Sequence, residues 1–77
     1  MTTNKEIDAR GLKCPLPVLK ARKEMRSMAG GSVLTVLADD PAAIIDFPHF
    51  CAEQGHEFLG DSTLEDGGSA YRLRKRA

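Results

Sequence analysis

DARGLKCPLPVLKARKEMRSMAGGSVLTVLADDP, residues 8–41, changes its hydrophobic period twice. From Pro15 to Ala29, Val18, Ala21, Met25 and Met28 recur at three- and four-residue steps, and Leu19 widens the stripe. That spacing predicts an amphipathic helix over 15–29 with Lys20, Lys23 and Arg26 turned away from the stripe. Gly30-Gly31 stops it. SVLTVLA, residues 32–38, is nearly continuous in apolar character and reads as a central strand. Asp39-Asp40-Pro41 then opens a second helix, because a carboxylate can cap free N–H groups and proline suits the first helical position.

Working outward, KEIDAR (5–10) reads as a short first strand. It leads into the turn Gly11-Leu12-Lys13, whose glycine can take a positive φ. In the second helix Ala43, Ile44, Phe47 and Cys51 share one face, Pro48 should kink or divide it, and Gly55 ends it. Residues 56–60 and 70–75 read as two further strands. In the last one, Tyr71 and Leu73 alternate with Arg72 and Arg74, as in a strand with one wet face. The order is β-α-β-α-β-β. It predicts an α/β two-layer sandwich: a four-stranded mixed sheet with two helices on one face. Right-handed crossovers make the strands they join parallel, and the last two strands pair antiparallel.

A length of 77 residues fits one small domain, residues 1–77. The opening MTTNKEID holds no apolar run suited to a signal peptide, and no stretch approaches the ~20 apolar residues of a membrane span. The expected location is the cytoplasm. Two cysteines are too few for a disulfide scaffold, so Cys14 and Cys51 are expected as free thiols. A zinc site would need Cys14, His49, Cys51 and His56 to converge, and their spacing matches no standard motif. No metal and no cofactor are expected.

Net charge is zero, but unevenly spread. Arg10, Lys13, Lys20, Arg22, Lys23 and Arg26 crowd the first third beside a single acid, Glu24, whereas Ser27 to Tyr71 holds eight acids and no Lys or Arg. Solvated surface is one explanation. An electrostatic dipole that steers docking is the other.

Cys14 falls at the N-cap of the first helix. Pro15 and Pro17 cost little there, since N–H groups of the first turn lack intrahelical partners, and their fixed φ stiffens the entry. The positive helix start, Lys13 and Arg10 should favour a thiolate. The prolines remove two donors, leaving the Leu16 N–H as the nearest to the sulfur. Burial as a small hydrophobe is the structural alternative for Cys14; the basic flank and the cap position favour an accessible, reactive thiol. Cys51, on the stripe with Phe47, reads as core. Nothing in the sequence places either histidine near Cys14, so a Cys-His hydrolase pair is not indicated. A lone thiol without an evident base suits sulfur exchange, which needs little acid–base help.

These residues resemble a known family. DARGLKCPLPVLKARK looks like the Cys-Pro-x-Pro signature of the TusA (SirA-like) sulfur carriers, and LADDPAAIIDFPHFCAEQGHEF looks like their second half. The likeness runs from about Ile7 to Leu73. It implies a persulfide carried on Cys14, loading by a cysteine desulfurase or another sulfur donor, and delivery to a downstream acceptor protein. The pathways it suggests are tRNA thiolation, molybdenum-cofactor synthesis and sulfur oxidation. Leu16 stands between the prolines, where several tRNA-relay members carry an acid. The expected molecule is a relay sulfurtransferase, monomeric when free. Gly11, Leu12, Lys13, Pro15 and Pro17 present the thiol, and Arg10, Lys20, Arg22, Lys23 and Arg26 dock partners. Two rivals remain. One is an RNA-binding module, disfavoured because only Tyr71 and three Phe could stack on bases. The other is a redox regulator that pairs Cys14 with Cys51 or with another chain.

Overall fold

The computed structural model describes residues 3–77. Its elements are β1 (Asn4–Asp8), α1 (Leu16–Arg26), β2 (Val33–Ala38), α2 (Ala43–Gln54), β3 (Glu57–Thr63) and β4 (Ser69–Arg74), in the expected β-α-β-α-β-β order. The sheet runs β1-β2-β4-β3. β1 and β2 are parallel, and β4 is antiparallel to both β2 and β3. β2 and β4 are thus central, as their apolar character demands.

Period-2 alternation sends Leu34, Val36 and Ala38 of β2 toward the helices. Tyr71 and Leu73 of β4 stand opposite Val36 and Leu34 and join them there. From above come Ala21 and Met25 of α1 and Ala43, Phe47, Phe50 and Cys51 of α2, all buried. Phe47 is wholly buried, and its ring stacks on Tyr71 with centroids 4.9 Å apart. The other sheet face carries Glu6, Thr35 and Arg72 in register.

Several boundaries differ from the expectation. α1 begins at Leu16 behind an N-cap at Pro15, so Cys14 lies one residue outside the cap. The helix stops at Arg26, where the Ser27 and Met28 N–H groups turn back to the Glu24 and Met25 carbonyls. Pro17 is buried, whereas Leu19 is 47% exposed and does not widen the core stripe. α2 begins two residues beyond Pro41, after a turn in which the Ala43 N–H donates to the Asp40 carbonyl. The packed face differs from the expected one: Ile44 is 60% exposed and Phe50 is buried. Pro48 does not divide α2, which runs unbroken from Ala43 to Gln54; one proline removes one donor from the ladder. Gly55 ends the helix at φ 76°, a left-handed conformation that glycine takes without strain. β3 extends to Thr63 through a register irregularity between Phe58 and Gly60. Its polar residues at 61–63 are strand because β4 lies alongside, not because of their own propensity.

Candidate functional site

The loop from Gly11 to Pro15 carries Cys14 between the starts of the two helices. Gly11 turns the chain at φ 85° and its N–H donates to Asp39 Oδ1 at 3.0 Å. The Cys14 N–H donates to Asp40 Oδ2. The other oxygen of the same carboxylate accepts the Ala42 N–H at 3.0 Å. Asp39 and Asp40 therefore tether the cysteine loop to the entry of α2. Leu12, half buried, anchors the loop against the core.

Those two amide donors hold the Asp40 carboxyl below its ordinary value of 3.8. A lowered carboxylate contributes stability above its unfolded value and loses it as pH falls through the folded one. The tether is thus intact at neutral pH and is lost only in acid, as pH falls from the ordinary 3.8 through the lower folded value. Hydrogen exchange at the Cys14 and Ala42 amides is expected to quicken across that acid range. In Asp40→Asn, which keeps one accepting oxygen instead of two, one amide exchanges fast at every pH. Unchanged protection in that variant would disprove the tether.

Cys14 is exposed. Its Sγ–H donates to Asp46 Oδ2 at 2.8 Å, from the first turns of α2. The consequence runs against the sequence expectation. The hydrogen bond to Asp46, with desolvation and the charges of Asp46 and Asp40 behind it, raises the thiol above its ordinary value instead of lowering it. The expected donors are also missing. The Leu16 N–H is taken by the Lys13 carbonyl at 2.8 Å. Arg10 is held by Asp8 at 2.9 Å and Asp66 at 3.2 Å. A thiol that rests protonated reacts slowly. Asp46→Asn is expected to speed alkylation of Cys14 by iodoacetamide severalfold at neutral pH and to move the midpoint of its pH–rate curve downward. An unshifted midpoint would show that Asp46 does not set the proton affinity of the sulfur.

The sulfur opens into a groove of about 240 Å³ between α1 and α2, where Leu19, Arg22, Asp46, His49 and Glu53 join it. His49 Nε2 lies 3.5 Å from Glu53 Oε1. Asp46, His49 and Glu53 recur at helical spacing, a polar stripe the sequence displays; only the packing of α2 beside the cysteine loop gives it meaning. Several large apolar side chains are exposed: Leu19 in the groove, Leu16 two residues beyond Cys14, and Ile44 and Ile45 at the start of α2. Of the basic residues predicted to dock partners, Lys20 Nζ donates to the Asp8 carbonyl at 2.7 Å. Arg22, Lys23 and Arg26 are exposed, and among the described residues they form no ion pair. Lys13 and Pro15, the neighbours of Cys14 in sequence, are exposed, and Pro17 is buried in the first turn of α1. Cys51 is 2% exposed, and burial pushes its thiol up to about 11. No helix is long and apolar enough to cross a membrane among the described residues.

Comparison with known proteins shows the family and the fold. The chain is 40% identical over 74 residues to the sulfur carrier protein TusA of Allochromatium vinosum, covering 96% of this chain and 95% of that one. It is 46% identical over 71 residues to the sulfur carrier protein TusA of Pseudomonas entomophila, covering 92% and 88%. A SirA-like protein of Desulfitobacterium hafniense, known from its crystal structure, shares the fold with a TM-score of 0.83 at 24% identity, covering 95% of this chain and 99% of that one. The family model for sulfurtransferase TusA matches residues 5–75, and the chain belongs to that family of sulfur carriers.

Proposed function

We propose that Cys14 is the residue that carries sulfur, as a persulfide. The observation that carries the reading is an exposed thiol, tethered through its own backbone to Asp40, at the mouth of a groove bordered by apolar and basic side chains. A cysteine desulfurase or rhodanese-type donor presents a sulfane sulfur on its own cysteine. The Cys14 thiolate attacks that outer sulfur, the donor's S–S bond breaks, and the donor cysteine leaves as a thiolate. The Cys14 proton passes to Asp46 or to water. In delivery, an acceptor thiolate attacks the outer sulfur of the Cys14 persulfide and Cys14 leaves with the electron pair. Asp46 then matters again: it favours the protonated sulfur, so the discharged carrier rests as a thiol that does not attack the newly formed persulfide.

Docking is assigned to the exposed Leu16, Leu19, Ile44 and Ile45, with Lys13, Arg22, Lys23 and Arg26 supplying positive charge. Arg10 and Lys20 brace Asp8 and the loop instead. The test is incubation with a cysteine desulfurase and free cysteine, followed by intact mass measurement. One added sulfur per chain is expected. No gain on the unaltered chain would overturn the proposal.

A further inference from the structure

A second pocket, of about 140 Å³, lies where the ends of α1 and α2 meet the residues that follow β4. Arg22, Arg26, Lys75, Arg76, His56 and Phe50 are among the residues that line it, and among the described residues no Asp or Glu does. Its cations are placed by the fold. Lys75 Nζ donates to the Met25 carbonyl, and Arg76 Nη1 donates to the Gln54 carbonyl at 2.8 Å. Both contacts cap the negative end of a helix. Each uses one donor of a group that has more: an ammonium has three and a guanidinium five. Arg22 and Arg26 form no ion pair among the described residues. The Arg76 N–H donates to His56 Nδ1 at 3.0 Å, which leaves the ring proton on Nε2 as a further donor.

Four cations with spare donors around a space this small lack a counter-charge. A carboxylate would satisfy one guanidinium fork. A tetrahedral dianion offers enough oxygens and charge to engage several at once. The room equals that of roughly four to five waters at ~30 Å³ each, enough for one such group. We propose that this pocket binds a phosphate group. Among the described residues Phe50 and His56 are its only rings, tilted against each other at 5.7 Å, so the chemistry recognised is the phosphate rather than a stacked base.

The test is titration of the reduced, isotope-labelled chain with inorganic phosphate at constant ionic strength, followed by amide resonances. A parallel arm uses a short single-stranded RNA lacking terminal phosphates. Saturable shifts are expected at Arg22, Met25, Arg26, Lys75 and Arg76. Arg26→Gln should weaken phosphate binding by about fivefold or more, the scale of one charge-assisted hydrogen bond. Arg72→Gln, which removes the same charge from the opposite sheet face, should leave it unchanged. RNA that shifts the same amides and competes with phosphate would identify a phosphodiester as the source. RNA without effect would identify a free phosphate or monoester. Absence of saturable phosphate shifts, RNA binding without phosphate binding, or equal weakening by Arg26→Gln and Arg72→Gln would overturn the site.

Discussion

A Cys14→Ser chain is expected to gain no sulfur from a loaded desulfurase, while Cys51→Ala gains as much as the unaltered chain. The two thiols differ in every property that governs exchange. A thiolate must reach the donor's outer sulfur in line with the S–S bond. Cys14 is exposed at the tip of a tethered loop. Cys51 is 2% exposed on the core face of α2, and its thiol is pushed up to about 11 by burial alone. A serine hydroxyl at position 14 can still donate to Asp46, so the loop need not rearrange, but it does not exchange with a persulfide. Intact mass after incubation separates the outcomes. Sulfur on Cys14→Ser, or its loss in a folded Cys51→Ala chain, would move the carrier role away from Cys14.

Phe47→Ala is the expected worst case for stability. The ring is wholly buried and stacked on Tyr71, where α2 meets β4. Removing it strips the transfer energy of a large apolar side chain and leaves a cavity between two layers. The cost should be about 3–5 kcal/mol. Domains of this size have about 5–15 kcal/mol in total. At about 4–8 °C per kcal/mol for small domains, the melting temperature should fall by more than about 12 °C. A fall below about 5 °C would mean that the two layers close over the gap at little cost. Cys14 alkylation offers a second reading: because α2 supplies Asp46 and the turn at its entry supplies the Asp40 tether, a loosened layer should change the thiol's pH–rate curve as well.

The architecture was legible because it rests on periodicity. β2 and α1 differ plainly in hydrophobic period, and Tyr71 and Leu73 alternate with arginines. Details set by partners were less legible. Nothing local separates Ile44 from Phe50 as core candidates; the way α2 docks on the sheet decides between them. The tail of β3 is strand only through its pairing with β4. At the site, the loop, the prolines and the thiol could be read from neighbouring residues. The proton affinity of Cys14 could not. Sequence proximity pointed to Lys13, Arg10 and the helix start, all of which favour a thiolate. Space brought in Asp46, an acid 32 residues away, and reversed the sign. The tether through Asp39 and Asp40 was half visible: their capping role was expected, their grip on Gly11 and Cys14 was not.

The hydrogen bond from Cys14 to Asp46 also bears on how an idle carrier survives. Peroxides attack thiolates, and each oxidation beyond the sulfenic acid is practically irreversible. A carrier with a permanently ionised cysteine would be lost steadily between deliveries. With Cys14 as the proposed carrier residue, a proton held on the sulfur beside Asp46 would leave the empty state less open to peroxides, so the carboxylate that slows the free thiol would also protect it.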